Sequence, residues 1–135
     1  AELQAMAKGL RPKHAKELTL EENIAVLLDV GVGMVLVTDG AKGVYFGTLD
    51  PASGRPSVVH FDPLPVDPAS IVNTTGAGDS FASGFIRGMV AQEPVDTAIQ
   101  YGQEAAIVAL RSEEPIPKDL KKLGIRIAER TLRTR

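Results

Sequence analysis

Cysteine and tryptophan are both absent from the 135 residues. Without thiols there is no disulfide framework, no thiolate zinc site and no cysteine nucleophile, which suits a reducing compartment. Aromatic residues are scarce, and Tyr45 and Phe46 read as sheet packing rather than as a base-stacking platform. No apolar run is long enough to cross a bilayer, and the opening AELQAMAKGLRPKHAKE lacks the basic-then-apolar order of a secretory signal. A soluble, cytoplasmic protein with no membrane partner is therefore expected, with organellar targeting left open. The net charge is only −2 and the two signs are mixed along the chain, so nucleic acid finds no broad electrostatic footprint. The exception is the closing KKLGIRIAERTLRTR, which reads as a solvated terminal helix in preference to a polyanion-binding tail. Two phosphate-binding motifs are missing as well. No G-x-x-x-x-G-K-[ST] occurs, and no glycine cluster completes G-x-G-x-x-G.

What is present suits one globular domain, since 44% of the residues are hydrophobic and the length is too short for two ordinary domains. Glu2 to Lys8 has a helical look and ends at Gly9. Thr19 followed three residues later by Glu22 is a capping box, and Ile24, Leu27 and Leu28 recur at helical spacing, which predicts a helix over 20–30. Met34-Val35-Leu36-Val37 is a continuous apolar, β-branched run, as expected of a strand buried on both faces of a mostly parallel sheet. A turn over 38–43 leads to a second strand over 44–49. The loop 50–56 then reads as a hairpin tip, with Val58 to Phe61 as the partner strand. Pro63, Pro65 and Pro68 forbid ladder pairing beyond it. Phe81, Phe85, Ile86, Met89 and Val90 give an amphipathic helix, Pro94 opens another that runs to about Leu110, and a weaker helical segment follows Lys118.

Asn73-Thr74-Thr75-Gly76-Ala77-Gly78-Asp79 is the segment with the most chemistry in it. Gly76, Ala77 and Gly78 leave the backbone open at the mouth of a helix, where the first amides have no intrahelical acceptor and the macrodipole favours negative charge. A phosphate, or the charge on a phosphoryl group in flight, fits there. Asp79 is repelled by a phosphate unless it has a proton to accept, and activation of an acceptor hydroxyl supplies one. The bland alternative is a plain helix start in which Asp79 caps its own amides and the glycines merely turn the chain. Asn73-Thr74-Thr75 also fits the glycosylation sequon, without a secretory signal to make use of it. His14 and His60 have no metal-ligand spacing and read as surface or strand positions.

Over the fourteen positions Asn73 to Ile86 the sequence resembles the second signature of the PfkB carbohydrate kinases, and Val37 to Gly43 is similar to the family's T-x-G-x-x-G turn. The resemblance implies an α/β, ribokinase-like fold, Rossmann-like, with a mostly parallel sheet flanked by helices. Residues 1–135 would form the C-terminal nucleotide-binding and catalytic part of such a kinase domain. It implies ATP-dependent phosphorylation of a sugar or nucleoside hydroxyl, with Asp79 as general base and the backbone of Gly76, Ala77 and Gly78 as anion hole. Thr38, Gly40, Gly43, Gly78 and Gln103 would contact the nucleotide. The alternative from another class is a non-catalytic nucleotide- or anion-binding module, or a degenerate kinase.

Relatives often use Mg²⁺ through an N-x-x-E motif, whose end Ala1-Glu2-Leu3 resembles, so Glu2 is the candidate ligand. They also use a monovalent cation beside the anion-hole loop, which places K⁺ at Asn73 and Thr75. Asn73 stands where many relatives carry an aspartate, and the lost charge weakens such a site. Leu64-Pro65-Val66 ahead of the signature resembles pseudouridine kinases, whose acceptor is the 5′-hydroxyl. The lid and most sugar contacts belong to the amino-terminal half of a family member. The resemblance therefore implies that the 135 residues are part of a longer chain, inactive alone, whose other half would supply any homodimer contact.

Overall fold

The computed structural model describes residues 2–9, 18–114 and 116–133. The chain packs as two compact units, residues 1–63 and 64–135. In the first, α1 (Glu2–Gly9) and α2 (Leu20–Asp29) accompany three strands, β1 (Met34–Thr38), β2 (Val44–Leu49) and β3 (Pro56–Phe61). The second is helical, with α3 (Ala77–Val90), α4 (Val95–Leu110) and α5 (Leu120–Arg133).

The capping box that starts α2 forms as its residues predict. Thr19 Oγ1 accepts from the Glu22 amide at 3.2 Å, and the Glu22 carboxylate accepts from the Thr19 amide at 2.7 Å. Ile24, Leu27 and Leu28 from α2 then form a core with Val35 of β1. Ile24 and Leu28 are essentially fully buried, a gain of about 1.5–3 kcal/mol for each side chain. Gly47 lets the helix lie directly on the sheet, since an added Cβ there would run into Ile24 and come within 3.3 Å of Leu28.

The strands pair in the order β1-β2-β3, and both ladders are antiparallel. This corrects the expectation of a mostly parallel arrangement, because no parallel pair occurs among the described residues. The connections 39–43 and 50–55 are short turns, whereas a parallel neighbour needs a crossover of about a dozen residues or more. The strand buried on both faces is also β2 rather than β1. Val44 and Phe46 are buried on one face of β2 and Gly47 on the other, whereas β1 alternates from exposed Met34 to buried Val35. β2 is the middle strand and β1 an edge, and that difference decides the burial. Pro56 begins β3, an edge strand where its missing N–H costs little.

In the second unit α3 and α4 pack closely, and glycine is the reason. An added Cβ at Gly88 would lie 2.7 Å from Ala98, one at Gly102 would lie 2.9 Å from Phe81, and one at Gly84 would strike the Tyr101 backbone. α5 lays Leu123 and Ile127 against Tyr101 and Ala105. Pro94 sits at the N-cap of α4, one residue ahead of the first-turn position its sequence suggests. No described helix is long and apolar enough to cross a membrane.

Candidate active site

The mouth of α3 is built by a left-handed residue. Gly76 is its N-cap with φ +80°, a conformation that costs a side-chain-bearing residue roughly 1–2 kcal/mol. The loop ahead of it is pinned twice. Asn73 Oδ1 accepts the Thr75 amide at 2.9 Å, and the amides of Val72 and Asn73 both donate to the Leu110 carbonyl, at 2.8 and 3.2 Å. The last carbonyl of α4 therefore fixes where the loop enters, a contact no sequence pattern announces.

Within this frame the Ala77 amide reaches Thr74 O at 3.4 Å and the Ser80 amide reaches Gly76 O at 2.9 Å. The amides of Gly78 and Asp79 have no acceptor among the described residues, as the first turn of a helix leaves them. Asp79 is exposed, and its carboxylate makes no hydrogen bond or ion pair among the described residues. The plain helix-start alternative, in which Asp79 caps its own amides, is therefore not what the chain adopts. At Gly78 an added Cβ would meet nothing within 4 Å, so nothing in this chain requires glycine there on steric grounds. The space beside Gly78 is open and the amides of Gly78 and Asp79 are unpaired among the described residues, which leaves room for an anion's oxygens.

The turn between β1 and β2 is a short 3₁₀ segment over Gly40–Lys42. It closes through Asp39 N to Gly43 O at 2.8 Å, Lys42 N to Asp39 O at 3.0 Å and Gly43 N to Gly40 O at 3.2 Å. The amides of Gly40 and Ala41 are left without acceptors among the described residues. Thr38 is exposed at the end of β1 and Gly40, with φ +53°, faces open space. Gly43 has a structural reason of its own: its φ is +102°, and a Cβ would run into the Phe61 carbonyl and come within 3.1 Å of His60 Nε2.

The candidate residues thus fall into two groups. Asn73, Thr75, Gly76, Ala77, Gly78 and Asp79 share one loop and helix mouth in the second unit, and Gln103 is half-buried on α4 beside Gly102. Thr38, Gly40 and Gly43 share the turn of the first unit. Glu2 opens α1, and its side chain lies outside the described residues, as do His14 and the side chains of residues 130–135. His60, read from the sequence as a surface or strand position, places its Nε2 2.7 Å from the Lys42 carbonyl. Cross-strand register brings the two together across eighteen positions, so spacing alone carries no sign of it.

The fold is that of a ribokinase-like α/β protein. A ribokinase from Thermotoga maritima superposes with a TM-score of 0.69 and 25% identity over 90% of this chain and 39% of its own. An E. coli protein assigned as a ribokinase II, solved in complex with ATP and Mg²⁺, superposes with a TM-score of 0.67 and 25% identity over 93% of this chain and 37% of its own. A cytidine kinase of Thermococcus kodakarensis is 36% identical over 83 residues, 60% of this chain and 27% of the relative. The family model for pfkB family carbohydrate kinases matches residues 1–122, and the chain belongs to that family. It spans roughly a third of the length of the relatives it matches.

Proposed function

We propose that this chain is the C-terminal nucleotide-binding and catalytic part of a PfkB-type kinase domain, and that the complete polypeptide phosphorylates a hydroxyl of a sugar or nucleoside. The observation that carries this reading is the pair of unpaired amides at Gly78 and Asp79 beside an exposed carboxylate that has no partner among the described residues. The Asp79 carboxylate takes the proton of the acceptor hydroxyl as its oxygen forms a bond to the γ-phosphorus of ATP. The bond from that phosphorus to the bridging oxygen breaks, ADP leaves, and Asp79 later returns its proton to solvent. Amides at the α3 mouth, aided by the macrodipole, hold the charge on the phosphoryl oxygens. Thr38, Gly40, Gly43 and Gln103 contribute to nucleotide binding.

The metals fit unequally. Among the described residues no three His, Cys, Asp or Glu side chains converge, whereas Mg²⁺ in phosphoryl transfer needs only one or two carboxylates alongside the substrate phosphates. Glu2 is the residue of this chain proposed to contribute such a carboxylate. For K⁺ the main-chain carbonyls of Asn73 and Thr75 accept no hydrogen bond among the described residues, so this oxygen set suits a hard monovalent cation. Such an ion would hold the loop and offset negative charge beside the anion hole.

Relatives named for cytidine and ribose support this acceptor class. Pseudouridine's 5′-hydroxyl is the finer proposal, resting on Leu64-Pro65-Val66 before the signature. In the complete polypeptide Asp79→Asn is expected to lower kcat by roughly 100- to 10,000-fold while MgATP still binds. Near-normal turnover would remove Asp79 as the base. Retained ATP binding with no turnover in the wild type would favour a non-catalytic nucleotide-binding module.

A further inference from the structure

His60 lies on β3 directly opposite Tyr45 of β2, and their rings meet at 4.6 Å between centroids with a 51° tilt. That contact aims the imidazole along the sheet toward the turn over Gly40–Lys42. Its Nε2 lies 2.7 Å from the Lys42 carbonyl oxygen. A carbonyl can only accept, so the ring proton is on Nε2 and His60 is the donor. Gly43 makes the approach possible, because a side chain there would put its Cβ 3.1 Å from the same nitrogen. On the other side of the ring, Nδ1 lies 3.8 Å from the exposed Asp62 carboxylate, an ion pair only when the imidazole is protonated and of little worth even then.

The turn's internal bonds tie Asp39, Gly40, Lys42 and Gly43 to one another, while the bond from His60 ties the turn to the neighbouring strand. The amides of Gly40 and Ala41, unpaired among the described residues, ride on that turn. We propose that His60 is a positioning residue for the nucleotide: through its Nε2–H it holds the Lys42 carbonyl, and so presents the Gly40 and Ala41 amides in a fixed orientation. This rests on the reading of the 38–43 turn as part of the nucleotide site. A turn free to wander must be ordered when the nucleotide binds, and that entropy is subtracted from affinity. His60 settles the cost beforehand.

The test is titration calorimetry of MgATP into the complete polypeptide carrying His60→Ala, His60→Asn, His60→Gln or Gly40→Val, with thermal melting measured alongside. A glutamine amide nitrogen can stand where Nε2 stands, whereas the shorter asparagine cannot reach. His60→Ala and His60→Asn are expected to raise Kd by about three- to tenfold, the worth of one net hydrogen bond, and His60→Gln to restore most of it. A purely structural role would move the melting temperature without this order among the variants. If Gly40→Val weakens binding at an unchanged melting temperature but His60→Ala and His60→Asn do not, the latch is wrong and the nucleotide reading stands. If wild type does not bind, or Gly40→Val binds as wild type does, the nucleotide reading of the turn fails and the proposal falls with it.

Discussion

Gly76 and Gly78 stand two residues apart and serve different ends. Gly76 adopts a left-handed conformation, so Gly76→Ala is expected to destabilise the fold by roughly 1–2 kcal/mol, read as a lower midpoint in denaturant. Gly78 has ordinary helical geometry and open space around it. There Gly78→Ala is expected to hold or raise stability, by up to about 1 kcal/mol, because glycine weakens a helix. The same methyl group would intrude on the space over the unpaired amides, so phosphoryl transfer should fall in the complete polypeptide. Unchanged kcat/KM in Gly78→Ala would mean that no oxygen of the substrate approaches that amide. Gly43 belongs with Gly76, since its conformation and its contact with Phe61 already demand glycine. A nucleotide-binding defect in a Gly43 variant would therefore report on the hairpin as much as on the ligand.

At the scale of elements, the α3 and α4 pair fixes the loop that carries the chemistry. The glycines that let the helices touch also set the level at which Leu110 meets Val72 and Asn73. Gly88→Val would force its branched side chain into Ala98, where the gap for even a Cβ is 2.7 Å. Overpacking of this kind costs typically about 1–3 kcal/mol, so a melting temperature several degrees lower is expected. An unchanged melting temperature would mean that α4 shifts away freely. α2 shows the opposite balance, since its cap, apolar stripe and end are all local features and all are legible in the sequence. The sheet was less so. The hairpin strands were visible as apolar runs, yet their antiparallel pairing at β1 and the central place of β2 depend on which strand has two neighbours.

At the scale of the molecule, the chain's short span relative to its kinase relatives bears on activity. The 135 residues by themselves are expected to release no ADP above background with ribose, cytidine or pseudouridine, because sugar contacts and lid are proposed to lie outside them. Turnover by the chain alone would place the acceptor site within these residues. The sequence by itself determined the helices of both units, the open, glycine-rich entry to α3 and the identity of Asp79 as the acid at that entry. These depend on local rules: caps, periodicity, and the conformations only glycine adopts cheaply. Only the tertiary structure decided that Asp79 leaves its own helix uncapped, that Leu110 anchors the loop, and that His60 reaches Lys42 across the hairpin. Each joins residues distant in sequence or turns on which of several available partners a polar group takes, and that choice is made by packing rather than by spacing.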